Sequence, residues 1–203
     1  MSVQWINEHR MTAFGLLIAA IILLVLMIPP HAFGQESNDK MIQATRMGDA
    51  AAVKELLSQG ASVEAKDNLG NSALTCAVVS NQMECVEVLL DNGAEVNTKS
   101  YNDYSPLILS TIKGQKIMTK MLLESGADAN ATDPYGWTAL MNAVYLGDAE
   151  MVRMLLDGGT DVNTKNYLGR SALFISVNTG QPQICLLYTS PSPRDLLSHL
   201  VCR

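Results

Sequence analysis

Four short blocks in this chain of 203 residues recur at a fixed interval of 33: Ser72-Ala73-Leu74, Ser105-Pro106-Leu107, Thr138-Ala139-Leu140 and Ser171-Ala172-Leu173. Two further rows keep the same step. They are Leu56-Leu57, Leu89-Leu90, Leu122-Leu123 and Leu155-Leu156, and Gly60, Gly93, Gly126 and Gly159. A constant period of this length restricts the chain to a repeat architecture, because each unit is too small to bury its own apolar face and must stack on its neighbours.

Within one period the apolar residues follow helical spacing in two short runs. Ser37 to Gly60 reads as an opening helix pair, starting with Met41, Ile42 and Ala44 and broken at Gly48-Asp49. The second unit starts a first helix after Ser72, turns at Ser80-Asn81 and runs a second helix from Met83 to Leu90. The third and fourth units start at Ser105 and Thr138, and the fifth starts at Ser171 and reaches Gly180. Ser or Thr at each start supplies a hydroxyl that accepts from an otherwise unpaired helix N–H. Glycine after each second helix is the residue expected where the chain turns left-handed.

The fourth unit carries the pattern most fully. It reads Asp133-x-x-Gly136-Trp137-Thr138-Ala139-Leu140-x-x-Ala143, then Gly147, Glu150-x-Val152, Leu155-Leu156, Gly159 and Asp161-Val162-Asn163. This resembles the ankyrin-repeat family, over residues from about 37 to 184. The resemblance implies an all-α ankyrin-repeat solenoid of paired antiparallel helices with projecting β-turn fingers, in about four full repeats and a truncated fifth. Thr75, Ile108, Met141 and Phe174 stand where the family usually has His, and Ser110 and Ser176 where it has Ala. The third repeat departs furthest, with Asp103 in a glycine place and Ile117-Met118-Thr119 in its second helix.

Residues 1–34 follow a different rule. An uncharged apolar run covers residues 13–28 after Arg10, and Ala32-Phe33-Gly34 places small residues ahead of a cleavage point. It reads as a secretory signal peptide cleaved after Gly34. Sixteen apolar residues are short of the ~20 that span hydrocarbon. The expectation is an exported, periplasmic product without stable membrane insertion after cleavage, or a membrane-anchored one if the leader stays. Bacterial origin is implied by the family resemblance combined with a leader. Residues 185–203 break the period at Tyr188-Thr189 and insert Pro191 and Pro193. They resemble translated sequencing-adapter DNA, residues 185–195 matching one part of an adapter and 200–203 its outer primer. The expected domains are therefore 1–34, a signal peptide; 35–184, the repeat domain, truncated in its last repeat; and 185–203, a non-native tail.

Within residues 35–184 eleven Lys+Arg stand against eighteen Asp+Glu. That balance argues against a nucleic-acid partner and favours a basic or neutral protein. All three histidines, His9, His31 and His199, lie outside the repeats. No phosphate loop, nucleophile elbow or histidine metal motif is present. The chain is expected not to be an enzyme and to hold no cofactor or metal. Asp67, Asp133 and Asp161 read as turn-capping residues, and Asp128-x-Asn130 lacks the glycine and distal Glu of a calcium loop. Cys76 and Cys85 read as small buried residues, with pairing in an oxidising compartment as the alternative.

Aromatic residues concentrate where the units join. Tyr101, Tyr104, Tyr135, Trp137 and Tyr167 all fall between repeats, and Tyr145 falls late in a first helix. Tyr104, Trp137 and Arg170 hold equivalent places in successive repeats, with Asn71 in the first. The family resemblance places such residues on a concave binding face, and Tyr, Trp and Arg dominate interface hot spots. These seven residues, from Tyr101 to Arg170, are the candidate protein-binding set. The alternative role is packing between neighbouring loops. The functional expectation is an exported protein–protein binding module. Its alternatives are a neutralising protein for an exported toxin, or the recognition part of an enzyme whose catalytic domain lies beyond residue 184.

Overall fold

The computed structural model describes residues 30–184. The apolar run, most of the leader and the tail from residue 185 lie outside the described residues. The chain divides into Met1–Ser37 and Asn38–Arg203. Of the first unit only the opening turns of one helix are described.

Nine helices are named among the described residues. They are α1 (Pro30–Met47), α2 (Ala50–Ser58), α3 (Ala73–Val79), α4 (Met83–Asp91), α5 (Pro106–Ile112), α6 (Lys116–Glu124), α7 (Ala139–Leu146), α8 (Ala149–Asp157) and α9 (Ala172–Asn178). A further helical turn opens at residue 182 and includes buried Ile184. The first helices α3, α5, α7 and α9 stack in one row, and of the second helices α2 packs on α4 and α6 on α8. Within each repeat α3 packs on α4, α5 on α6 and α7 on α8. This is the all-α repeat stack that the period predicts.

Local chemistry explains where the helices begin. The hydroxyls of Ser72, Ser105, Thr138 and Ser171 accept from the N–H groups of Thr75, Ile108, Met141 and Phe174. Asp49 and Asp148 do the same for Ala52 and Met151 at the starts of α2 and α8. Each such cap is worth about 1 kcal/mol. α1 begins earlier than the apolar pattern indicates. Pro30 opens it, since a helix's first position needs no N–H from proline, and the helix runs through Gly34 and Gln35.

The core consists of rows at the repeat step. Leu74, Leu107 and Leu140 form one row and Leu89, Leu122 and Leu155 another, all nearly inaccessible. Cys85, Met118, Met151 and Ile184 form a third. Burying each large side chain contributes roughly 1.5–3 kcal/mol, and successive repeats share the cost of closing the stack. In the divergent third repeat the buried hydroxyls of Ser110 and Thr119 meet at 2.9 Å. They also reach the carbonyls of Leu107 and Gln115. The polar substitutions are thus satisfied rather than stranded.

Two expectations are corrected. Projecting β-turn fingers do not form: among the described residues there is no strand. The connections are turns, pinned by single antiparallel bridges at Lys66 and Ser72, Thr132 and Thr138, and Lys165 and Ser171. One bridge closes a turn but does not propagate into the ladder that a hairpin requires. The membrane-anchored alternative is also corrected, because among the described residues no helix is long and apolar enough to cross a membrane.

Candidate interaction surface

The loops between repeats are held by one recurring device. Asp67 Oδ1 accepts from the N–H of Leu69 at 2.9 Å and of Asn71 at 2.8 Å. One repeat-pair later, Asp133 Oδ1 accepts from Tyr135 and Trp137, both at 2.8 Å. Asn166 Oδ1 accepts from Leu168 and Arg170, both at 3.0 Å. The third repeat has Ser100 in this place, which accepts from Tyr104 alone at 3.1 Å. Short acceptors that fold back on N–H groups two and four residues ahead fix the turn. They also fix which residue follows it: Asn71, Tyr104, Trp137 or Arg170. The carboxylates expected to cap turns do so, and Asp128 and Asp161 accept from Asn130 and Asn163, both at 2.9 Å.

A second ladder ties neighbouring repeats together. Glu64, Asn97 and Asn130 accept through side-chain oxygens from the N–H of Glu95, Asp128 and Asp161 at 2.8, 2.8 and 2.7 Å. The loops are therefore coupled to one another as well as folded locally.

On this scaffold the structure brings Trp137 and Tyr145 together. Their rings meet edge to face, 5.8 Å between centroids and at 86°. Such a pair contributes roughly 0.5–1.5 kcal/mol beyond its buried area. Trp137 is half-buried while Tyr145 is 61% exposed. Tyr104 is also half-buried. Burial, with Asp133 and Tyr135 beside it, pushes its phenol above the usual range. Tyr101, Tyr135 and Tyr167 are exposed at the loop tips. Their backbones are engaged: Tyr101 N–H donates to Asn71 Oδ1 at 2.9 Å, and Tyr167 N–H donates to the Tyr135 carbonyl at 3.2 Å. The Tyr167 ring lies over Gly136, where a Cβ would stand 2.9 Å from Tyr167 Cδ1. Arg170 does not join the Trp137–Tyr145 group, because its guanidinium lies 5.7 Å from the centre of the Phe174 ring.

Sequence reasoning missed Val79 and Ile112, each 42% exposed. Both stand in the register of Tyr145, Ile112 one repeat and Val79 two repeats earlier, so the period itself was the signal. Aliphatic residues in a helical pattern read as core until their neighbours are known.

Charge is unevenly distributed. On the loops and first-helix ends, Lys66, Lys99, Lys113, Lys165 and Arg170 are exposed, and Asp103 is the exposed acid in the segments 66–72, 99–105, 132–138 and 165–171. Asp67 is paired with Arg46 at 2.6 Å, its side chain 6% exposed. Burial works to raise its pKa, but hydrogen bonds from Asn71 and Leu69 and the Arg46 charge outweigh it and hold the carboxyl below its ordinary value. Exposed acids instead cluster on second helices and the turns after them, with Glu84, Glu87, Asp91 and Glu95 the densest run.

Cys76 and Cys85 are free and buried, so the disulfide alternative is not taken. Burial pushes both thiols up. Among the described residues no group of His, Cys, Asp and Glu is arranged to hold a metal ion. A surface groove between α1 and α2, lined by Lys40, Gln43, Met47, Asp49, Glu55 and Gln59, lies on the outer side of the first helix pair.

A family profile described as Ankyrin repeats (3 copies) matches residues 19–100, 40–133 and 107–190. The chain belongs to the ankyrin-repeat family. Comparison with curated proteins gives no significant match. The ankyrin-repeat fold is a non-catalytic protein-interaction scaffold, and binding on its concave face is typical of it. The capped turns, coupled loops and stacked helix rows of this ankyrin-repeat chain are the parts from which such a face is built.

Proposed function

We propose that the chain binds a protein partner on the surface formed by its inter-repeat loops and the exposed edges of α3, α5 and α7. Trp137 and Tyr145 form its centre. The observation that carries this reading is their edge-to-face pair, held by the Asp133 turn yet open to solvent through Tyr145. Tyr104 and Ile112 supply the neighbouring contact, and Tyr101, Tyr135, Tyr167 and Arg170 the rim. Rigid aromatic anchors lose little side-chain freedom on binding, which is why a few of them carry most of an interface's energy.

Trp137→Ala and Tyr104→Ala are each expected to weaken binding of a captured partner by ~2 kcal/mol, the hot-spot scale, with an unchanged far-UV spectrum. Full binding by the double variant would move the site elsewhere.

The same proposal takes residues 1–34 as a cleaved leader that exports the domain, supported by the apolar run 13–28 and the small residues of Ala32-Phe33-Gly34. Cleavage there would also remove residues 30–34 from α1. N-terminal sequencing of protein from its producing cell tests this. A start at Gln35 supports the leader, and a start at Met1 refutes it. Residues 185–203 are taken as non-native on their resemblance to adapter DNA, and resequencing the gene from fresh DNA tests that reading.

A further inference from the structure

The acidic balance of residues 35–184 favours a basic or neutral partner, but the segments 66–72, 99–105, 132–138 and 165–171, which lead into the first helices, expose four cations and one acid. Lys66, Lys99 and Lys165 stand at one register of the repeat, so they line three of the four loops at the same height. Lys113 follows Ile112 directly, and Arg170 follows the loop glycine Gly169. All five cations are exposed, and none takes part in an ion pair among the described residues. Of the three acids in these loop segments only Asp103 is exposed. Asp67 holds Arg46, and Asp133 is 7% exposed with Oδ1 accepting two N–H groups. The other exposed acids lie mainly on the second helices and in the turns after them.

We propose that the partner is a protein segment rich in Asp and Glu around one or two large apolar side chains. The apolar anchor would meet Trp137, Tyr145 and Ile112, and the carboxylates would face the ring of cations. This rests on the binding surface proposed above and adds the partner's chemistry to it. Charges at the rim of an interface act through the approach of the partner, raising the association rate and fixing orientation, and added salt removes that effect. A nucleic acid is the weaker fit, since the apolar centre contributes nothing to phosphate neutralisation. It would also meet repulsion from the acidic second helices.

The test selects a phage-displayed library of random 16-residue peptides against the full chain and measures kinetics with the synthesised winners. The expected winners are enriched in Asp and Glu next to Trp, Phe or Leu. Their association should slow about tenfold on the combined change Lys66→Glu, Lys99→Glu, Lys113→Glu and Lys165→Glu, with dissociation little altered. Glu84→Lys with Glu87→Lys and Asp91→Lys, on the other side of the repeat, should not slow it. Winners poor in acids that require Trp137 but ignore the lysine reversals would overturn the acidic partner and leave the surface standing. Acid-rich winners indifferent to Trp137→Ala and Tyr104→Ala would overturn the surface itself. A single-stranded DNA oligonucleotide binding more tightly than every peptide would overturn the protein partner.

Discussion

Asp133 is the residue on which the loop below Trp137 depends, and its replacement by Ala has a cost that follows from the geometry. Oδ1 accepts two N–H groups at 2.8 Å, from Tyr135 and Trp137, and the residue is 7% exposed. Truncation leaves the Trp137 N–H without its acceptor in a half-buried place, costing about 1–3 kcal/mol. Tyr135 is exposed, so water replaces its bond and only about 0.5–1.5 kcal/mol is lost. Asp133→Ala should therefore destabilise the chain by about 2–3 kcal/mol. Asp133→Asn should cost under about 1 kcal/mol, because Asn166 performs the same two-bond task one repeat later without a charge. The assay is urea unfolding followed by Trp137 fluorescence in a Trp5→Phe background, with circular dichroism for the whole stack. In a repeat array the loss belongs to one unit and its two interfaces, so fluorescence should shift at least as much as the helical signal. An Asp133→Ala chain within 0.5 kcal/mol of the parent would refute the turn argument. An Asn variant as weak as the Ala variant would show that charge, not acceptor geometry, holds the loop.

Three other outcomes are expected. Asn81 and Asp103 carry side chains at φ 57° and 60°, where other repeats place Gly48, Gly114, Gly147 and Gly180, or Gly70, Gly136 and Gly169. Asn81→Gly and Asp103→Gly should each raise stability by about 0.5 kcal/mol, since relief of the left-handed strain is partly offset by glycine's freer unfolded chain. Differential scanning calorimetry reads this as a rise of one to two degrees, roughly. The Asp67 carboxyl is held below its ordinary value of 3.8. Its contribution is present in full above that value and lost as pH falls through the lower, folded one. Urea midpoints at pH 5 and pH 2.5 should thus fall further for the parent than for Asp67→Asn. The buried thiols of Cys76 and Cys85 should react with a disulfide reagent far more slowly in the native chain than in urea. Equal rates would contradict their burial.

What was legible in the sequence was what one residue decides locally. Ser72, Ser105, Thr138 and Ser171 cap helices because a hydroxyl one position before a helix has little else to do. The second helix expected from Met83 to Leu90 runs Met83–Asp91. The loop acceptors were read as capping residues from Asp67, Asp133 and Asp161, but not Ser100 and Asn166, whose chemistry differs while their register does not. The β-turn fingers failed because a ladder is a tertiary property that a turn signature does not guarantee. α1 was placed too late because its apolar pattern starts only at Met41, whereas the helix runs from Pro30, where proline at a helix start is permitted. Of the candidate set, Trp137 and Tyr145 were picked out through their residue types, and the structure pairs their rings. Val79 and Ile112 were missed for theirs. Net charge sums over faces that no one partner meets together, so by itself it does not fix the sign of a partner.

The two ends of the stack follow different rules as well. Lys40 and Glu55 are exposed on the outer side of the first helix pair. Their repeat equivalents include Ala73 and Val88, both buried beneath a neighbour. Polar side chains at those places take the position of the apolar ones that later repeats bury, while Met47 beside them stays 73% exposed. At the other end Phe174 is 52% and Val177 62% exposed. Their equivalents Ile108, Met141, Val78 and Val144 are almost inaccessible, each covered by the repeat that follows. Arg170 shields one face of Phe174, which places one of the loop-side cations on the apolar end rather than beside Trp137. The other four cations, Lys66, Lys99, Lys113 and Lys165, belong to the second, third and fifth repeats, and an acidic segment reaching them would lie across the helices instead of along any one of them.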